Sequence, residues 1–152
     1  TEAAARQVEA QVARTLEQGG QLVLGGRRDG AYFTPTLIDA IPKTADVARD
    51  LEIFGPVVSV IGFDTLDEAI EIANASKFGL AGCIFSADMK TAMKTAAALE
   101  CGSVVINGAS FYRSFEMPFG GYKYSGLGTE GVLSTFAEVT RLKTVVLKNV
   151  LA

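Results

Sequence analysis

The chain has 152 residues, of which 49% are hydrophobic and 20% are charged, and its formal net charge is -3. This length and composition indicate one globular domain with room for a core, and they argue against a disordered chain. The small negative charge, without a basic cluster, argues against nucleic acid or an anionic membrane as a partner. No apolar run approaches the roughly 18 residues that cross a bilayer, so we expect a soluble, cytoplasmic protein without a membrane partner.

The first part of the chain predicts a helix followed by short extended segments. A stripe of apolar residues runs along residues 1–18, and two glycines follow it. The stripe consists of Ala5, Val8, Val12 and Leu16. Residues 21–24 and 35–39 predict short strands, and Pro35 disfavours a central position in a sheet at that point. Arg27 and Arg28 lie in a turn-like stretch where arginines are more often solvated than bound to an anion, and residues 44–51 predict one or two helical turns.

The middle of the chain predicts alternating strands and helices. A strand over 57–63 precedes a helix that Thr65 and Glu68 open as a capping box and that continues to Ala75. Its buried side is predicted to contain Leu66, Ala69, Ile70 and Ala73. A second strand, 80–85, leads to a helix capped by Ser86, and a third strand covers 103–106. The apolar stripe of the second helix is predicted to be Met89, Met93, Ala96 and Leu99.

Strands and helices at this spacing indicate parallel pairing, with helices covering the sheet. The predicted fold class is therefore α/β with a parallel-type sheet. Binding sites in such sheets lie beyond the carboxyl ends of the strands, so the residues after Ile106 are candidates for a site.

The absence of histidine limits the chemistry available to the chain, which contains two cysteines, Cys83 and Cys101. Without histidine there is no Ser-His-Asp or Cys-His catalysis, and the commonest metal ligand is missing. Both cysteines lie in apolar stretches, and reactive thiols need electropositive, partly exposed surroundings. We therefore predict buried, unreactive thiols, no catalytic residue in this chain and no metal site, and we have no grounds for a disulfide.

A carboxylate and an aromatic ring stand two residues apart in Glu52-Ile53-Phe54-Gly55-Pro56. In an extended backbone the side chains of Glu52 and Phe54 share one side. An acid that accepts two hydrogen bonds beside a ring suits the hydroxyls of a sugar attached to a flat heterocycle. The alternative is a turn before a buried strand, with Glu52 solvated.

Six aromatic residues crowd the loop over residues 108–126. They are Phe111, Tyr112, Phe115, Phe119, Tyr122 and Tyr124. Such residues can wall a tunnel for a substrate, bury against other parts of a larger protein, or simply pack the loop. Arg113 is a candidate to bind an anionic substrate tail, although a lone arginine is more often solvated.

The glycines of residues 126–131 match the pattern G-x-G-x-x-G, but their context does not fit a dinucleotide fingerprint. Such a fingerprint follows a hydrophobic strand and precedes an acidic residue by about 20 positions. Here an aromatic, proline-containing loop comes before it, and no acid lies in 143–150. We expect tight turns leading to a short helix over 132–138. Residues 143–148 then predict an apolar strand without a nearby hairpin partner, which would pair elsewhere, possibly in another subunit.

Together these segments resemble the NAD(P)-dependent aldehyde dehydrogenase superfamily. The signature E-x-F-G-P appears at Glu52–Pro56, and P-F-G-G-x-K-x-S-G-x-G-x-E-G appears from Pro118 to Gly131. The stretches 67–80, 104–107 and 143–145 also look like the family. The resemblance covers nearly the whole chain, and it implies the C-terminal portion of the catalytic domain over residues 1–141, with 142–152 as a terminal oligomerisation strand.

The resemblance also implies roles for single residues. Glu52 would hydrogen-bond the nicotinamide-side ribose of NAD or NADP, Phe54 would pack against that part of the cofactor, and Phe119 would line the substrate tunnel. The role of Arg113 as a substrate-binding residue is not carried over and remains a hypothesis. In relatives the nucleophilic cysteine, the general-base glutamate and the dinucleotide-binding domain lie upstream, and neither Cys83 nor Cys101 matches the nucleophile.

The implied function is oxidation of a small-molecule aldehyde to a carboxylic acid, by a homo-oligomer of which this chain forms an inactive part. The alternative is a non-catalytic assembly or binding module that keeps the fold and uses the terminal strand to pair with a partner. An assembly module gains nothing from a ribose-binding carboxylate, so the intact Glu52 and Phe54 favour the first hypothesis.

Overall fold

The computed structural model describes residues 1–149. Short strands and helices are interspersed along these residues. They are α1 (Glu2–Glu17), β1 (Gln21–Leu24), β2 (Arg28–Asp29), β3 (Tyr32–Phe33), β4 (Thr36–Asp39), a 3₁₀ turn (Asp46–Ala48), β5 (Val57–Ser59), α2 (Leu66–Asn74), β6 (Phe78–Gly79), β7 (Ala81–Ile84), α3 (Met89–Ala98), β8 (Ser103–Ile106), β9 (Tyr122–Lys123) and α4 (Val132–Val139). None of the helices in this described part is long and apolar enough to span a bilayer.

Helix α1 and a three-stranded sheet enclose the hydrophobic core. The hydroxyl of Thr1 caps the helix by accepting a hydrogen bond from the Ala4 amide at 3.3 Å. The buried core cluster consists of Val8, Val12, Ile38, Ile41 and Ala45. The predicted helix is therefore confirmed, with Thr15 fully buried and Leu16 half-buried beside the stripe.

The core sheet has the order β1-β4-β5, with β1 antiparallel and β5 parallel to the central β4. The expectation that Pro35 keeps its segment out of a central position is wrong, because Pro35 precedes the first paired residue. The Thr36 amide donates to the Pro56 carbonyl at 2.8 Å, so the pairing of β4 with β5 starts just after Pro35. The ladder therefore needs no N–H group from Pro35. Strand β5 ends at Ser59, four residues earlier than predicted, although the Val60 amide still donates to the Ile38 carbonyl at 2.9 Å.

The predicted parallel strand–helix–strand unit is confirmed in β7, α3 and β8. Strands β7 and β8 pair in parallel, from Ala81 opposite Ser103 to Ile84 opposite Ile106. The two parallel pairs, β4–β5 and β7–β8, belong to separate sheets within residues 1–149. The α/β class is thus confirmed, with mixed small sheets in place of one parallel sheet.

Helix α3 is capped differently from the prediction. The Asp88 carboxylate, and not Ser86, accepts hydrogen bonds from the Lys90 and Thr91 amides, both at 3.1 Å. A carboxylate with two oxygens satisfies two of the free amides at a helix start, whereas a hydroxyl satisfies one. Ser86 instead accepts from the Asp88 amide at 3.1 Å and so supports the cap.

The predicted buried stripes of α2 and α3 are only partly right. In α3 the buried residues are Ala92 and Thr95, while Met89 and Met93 are each 57% exposed. In α2 Thr65 caps the helix as predicted, by accepting from the Glu68 amide at 3.2 Å, but no residue of this helix is buried. Amphipathic faces therefore remain uncovered within this part of the chain.

The C-terminal third carries few buried contacts. Positive φ angles at Gly126, Gly128 and Gly131 confirm the predicted turns before α4. The predicted strand over 143–148 forms no ladder within the described residues, and its apolar side chains, such as Val145 at 70%, are exposed. Residues 150–152 of the predicted terminal segment lie outside the described residues.

Candidate functional site

The Glu52–Pro56 signature lies on the surface beside α1. Ile53 packs against the core cluster, whereas Glu52 and Phe54 are exposed, Phe54 to 82%. The backbone is not a plain strand here, because the Gly55 amide donates to the Ile53 carbonyl at 2.8 Å and closes a three-residue turn. The acid and the ring that the sequence analysis singled out are therefore both on the accessible surface, on either side of a residue anchored in the core.

Helix α1 fixes this signature at two points. A Cβ atom at Gly55 would lie 2.6 Å from Cγ2 of Val8, so only glycine allows the turn to approach the helix this closely. The Gln11 side-chain amide donates to the Glu52 carbonyl at 3.4 Å. The group that approaches the Gly55 backbone closely is therefore the first helix.

Glu52 lines a cavity of about 510 Å³ together with residues of the second signature. The cavity is lined by Glu52, Ala73, Asn74, Phe78, Gly79, Leu80, Ala81, Gly82, Cys83, Leu99, Glu100, Cys101, Tyr124 and Ser125. Two motifs separated by more than 60 positions in the sequence therefore meet at one opening. Among the hydrogen bonds of residues 1–149, none engages the Glu52 carboxylate, which leaves its oxygens free to accept.

Hydrogen bonds hold the second signature against β6 and the residues that precede it. The Ser125 hydroxyl accepts from the Gly79 amide at 2.9 Å, and the Tyr124 amide donates to the Lys77 carbonyl at 3.0 Å. Lys123 donates to the carbonyls of Asn74 at 2.7 Å and Ser76 at 3.0 Å. The sequence pattern assigns no role to Lys123 or Ser125 and counts Tyr124 only among the loop aromatics, although the place of all three inside the signature was the available signal.

The paired glycines of this signature permit close backbone packing. A Cβ atom at Gly102 would meet the Gly120 carbonyl oxygen at 1.7 Å, and a Cβ atom at Gly120 would lie 2.6 Å from the Gly128 carbonyl oxygen. Three segments of backbone therefore touch where side chains would collide. Phe119, which precedes them, exchanges two backbone hydrogen bonds with Glu130, at 2.8 and 2.6 Å.

Arg113 and Phe119 form the second pair of predicted site residues, and they are in direct contact. The guanidinium carbon of Arg113 lies 3.4 Å from the centre of the Phe119 ring. Neither residue lines the cavity beside Glu52. The structure thus brings Arg113 and Phe119 into contact, whereas of the first pair only Glu52 lines the cavity and Phe54 does not.

The two cysteines differ from the expectation of buried thiols. Cys83 is exposed and Cys101 is half-buried, and both are free. Burial raises the pKa of the Cys101 thiol, which donates to the Ser103 carbonyl at 3.2 Å. Cys83 also lines the cavity beside Glu52.

Known proteins are similar to this chain over nearly its whole length. The family model described as the Aldehyde dehydrogenase family matches residues 1–145. The chain is 40% identical over 143 residues to a 3-sulfolactaldehyde dehydrogenase of Priestia megaterium, a match that covers 94% of this chain and 30% of that protein. The chain therefore spans about a third or less of the length of the curated relatives it matches.

Two solved structures show the same fold. A glyceraldehyde-3-phosphate dehydrogenase of Methanocaldococcus jannaschii, complexed with NADP, matches with a TM-score of 0.88 and 40% identity over 95% of this chain and 31% of that one. An NAD-dependent aldehyde dehydrogenase of Sinorhizobium meliloti matches with a TM-score of 0.87 and 38% identity over 95% of this chain and 29% of that one. On its sequence and its fold, the chain belongs to the aldehyde dehydrogenase family.

Proposed function

We propose that this chain is the C-terminal portion of an NAD(P)-dependent aldehyde dehydrogenase, in which it supplies the nicotinamide-ribose contact and part of the substrate tunnel. The observation that carries the proposal is the meeting of the two family signatures at the cavity beside Glu52. A cavity of about 510 Å³ is in the size range of small-molecule sites.

Glu52 and Phe54 have the chemistry needed to hold the nicotinamide riboside of the cofactor. The Glu52 carboxylate borders the cavity without an internal hydrogen bond among residues 1–149, so it can accept two hydrogen bonds from ribose hydroxyls. The exposed Phe54 ring offers an apolar face for the flat part of the cofactor. Bound NAD or NADP supplies the hydride acceptor, and the role of this chain is to fix its position.

The reaction needs groups that we assign to a segment upstream of the matched region. Aldehyde oxidation in the family requires a thiolate that attacks the carbonyl and a base that activates water. Cys101 does not suit the first role, because burial disfavours its thiolate, and neither cysteine matches the family's nucleophile. The chain alone is therefore proposed to be inactive.

The aldehyde itself is proposed to lie against the loop that precedes the second signature. Phe119 is held in place by its backbone pairing with Glu130, and Arg113 covers its ring. A fixed aromatic ring suits the wall of a narrow substrate tunnel, for which the rest of the enzyme provides the opposite side. The similar proteins are named after different aldehydes, so their names do not identify the aldehyde proposed for this chain.

The test is cofactor affinity in the complete enzyme that contains this chain. We expect Glu52→Gln and Phe54→Ala each to raise the KM for NAD(P), while Glu71→Gln, an exposed acid on α2, leaves it unchanged. In a second arm, the 152-residue chain is mixed with NAD or NADP and a panel of aldehydes. No NADH or NADPH is expected to form, and measurable reduction would contradict the assignment of the chemistry to an upstream segment.

One observation favours the alternative, a non-catalytic module that assembles with a partner. The apolar residues of the terminal segment, Leu142 and 145–147, are exposed. Such a segment can add a strand to a sheet of another chain. A variant of Glu52 distinguishes the two proposals. Loss of its carboxylate weakens cofactor binding if the residue belongs to a cofactor site, and it leaves the assembly of a non-catalytic module unchanged.

A further inference from the structure

The contact between Arg113 and Phe119 fixes the orientation of a guanidinium group. At 3.4 Å between the guanidinium carbon and the ring centre, the two flat groups have room only for a face-to-face arrangement. A stacked guanidinium keeps all five N–H donors in its own plane, pointing past the edge of the ring. The stack therefore positions the donors without using them.

The ring beneath Arg113 is itself well anchored. Phe119 shares two backbone hydrogen bonds with Glu130, and the tightly packed Gly120 follows it directly. Two turns in the loop, closed by Tyr112 N to Ala109 O at 3.0 Å and by Met117 N to Ser114 O at 3.3 Å, fold Arg113 back over this ring. The arginine is thus held at a defined place although it lies in an exposed loop.

No acidic group of the described chain neutralises this arginine. Seven other cationic side chains in residues 1–149 form ion pairs with carboxylates within 4.0 Å. They are Arg6, Arg14, Arg28, Lys43, Lys77, Lys94 and Lys123. Arg113 is not among them, even though Glu116 lies only three positions away in the same loop. Its in-plane donors remain available to an anion from outside.

We propose that Arg113, held flat by Phe119, selects aldehydes whose far end carries an oxyanion, such as a carboxylate, sulfonate or phosphate. The inference rests on the proposed function and adds to it the chemical class of the substrate. Arginine suits this task because its planar fork binds two oxygens of such a group at once. Phe119 then acts as a positioning residue for the guanidinium as well as a wall for the aldehyde chain.

The test compares two pairs of aldehydes, in each of which only the charge at the far end differs, on the complete enzyme that contains this chain. The pairs are 4-oxobutanoate with butanal, and glyceraldehyde 3-phosphate with glyceraldehyde. We expect the enzyme to prefer the charged member of at least one pair. Arg113→Met should lower kcat/KM for that charged member about tenfold to a hundredfold, the usual effect of losing a charge-assisted hydrogen-bonded contact, and should leave the neutral member within about threefold.

Three further variants separate charge from structure. Arg113→Lys keeps the charge without the fork and should recover part of the preference, while Phe119→Leu should weaken it by freeing the guanidinium. Arg27→Met, at another exposed arginine, should leave both members unchanged. An equal loss for charged and neutral aldehydes in Arg113→Met, or a parent enzyme without preference in both pairs, overturns the inference and leaves the dehydrogenase proposal intact. No reduction of NAD(P) with any aldehyde overturns both.

Discussion

Gly55 and Val8 are packed so closely that a Cβ atom on the glycine would lie 2.6 Å from Cγ2 of the valine. This contact joins the first helix to the turn that carries Glu52 and Phe54. The position of the proposed cofactor contact therefore depends on a residue 47 positions away from Gly55 in the sequence. Changes in the helix should reach the site through this contact and through the hydrogen bond from Gln11 to the Glu52 carbonyl.

Replacing Gly55 by alanine should destabilise the fold. The added methyl group has to displace either Val8 or the turn, and overpacking of this kind costs about 1–3 kcal/mol. Urea unfolding of the chain measures the loss. Gly62→Ala is the matched control, because a Cβ atom there meets nothing within 4 Å. A smaller loss for Gly55→Ala in a Val8→Ala background would identify the clash as the cause, and equal losses in both backgrounds would contradict it.

Acid should weaken the start of α3 through Asp88. Hydrogen bonds from the Thr91 hydroxyl and amide and from the Lys90 amide lower the pKa of the Asp88 carboxyl. A carboxyl with a lowered pKa in the folded state stabilises the protein above its unfolded pKa of about 3.9 and loses this contribution as the pH falls through the folded value. Melting curves from pH 7 down to pH 2 should therefore show a smaller decline for Asp88→Asn than for the parent chain.

The same helix offers a direct check on which residue is the cap. Asp88→Ala removes the acceptor for two helix amides, whereas Ser86→Ala removes only a hydrogen bond to the Asp88 amide. The melting temperature should fall more for Asp88→Ala than for Ser86→Ala. The opposite order would restore Ser86 as the cap, as the sequence pattern predicts.

The two cysteines should react at different rates with a thiol reagent. Cys83 is exposed, while Cys101 is half-buried and burial raises its pKa. Since the thiolate is the reactive form, iodoacetamide at pH 8 should label Cys83 first. Mass spectrometry of Cys83→Ser and Cys101→Ser assigns the two rates, and faster labelling of Cys101 would contradict the burial seen here.

The isolated chain should associate with itself at higher concentration. Exposed apolar side chains extend from Leu142 to Leu147, on a segment without a strand partner in the described residues. Charged residues on a free strand oppose edge-to-edge pairing, so Val145→Lys with Leu147→Lys should shift sedimentation towards the monomer. Phe115→Lys, at an exposed ring outside this segment, serves as the control. A parent chain that sediments as a monomer at every concentration would argue against this surface as an interface.

Local patterns in the sequence predicted most of the elements. The stripe of α1, the Thr65 cap and the parallel strands around α3 depend on residues close together in the chain, and all three are present. The buried stripes of α2 and α3 were mispredicted because their periodicity marks an apolar face without showing what covers it. Met89 and Met93 fit such a face, yet each is 57% exposed within this chain.

The site was predictable to the extent that motifs identify residues. The signatures pointed to Glu52, Phe54 and Phe119, and the structure adds the shared cavity that links Glu52 with Ser125. The contact of Val8 with Gly55 and the stacking of Arg113 on Phe119 join residues through three-dimensional packing. No periodicity or residue spacing in the sequence predicts either contact.

The dissociation constant of NAD or NADP, measured for the complete enzyme with glutamate and then with glutamine at position 52, tests the central claim most directly. Glutamine keeps the size of the side chain but removes the charge that strengthens hydrogen bonds to ribose hydroxyls. We predict about tenfold weaker binding or more, the usual effect of losing charge-assisted hydrogen bonds, with an unchanged melting temperature of the cofactor-free enzyme. Equal affinity in the two proteins would contradict the assignment of Glu52 to the cofactor.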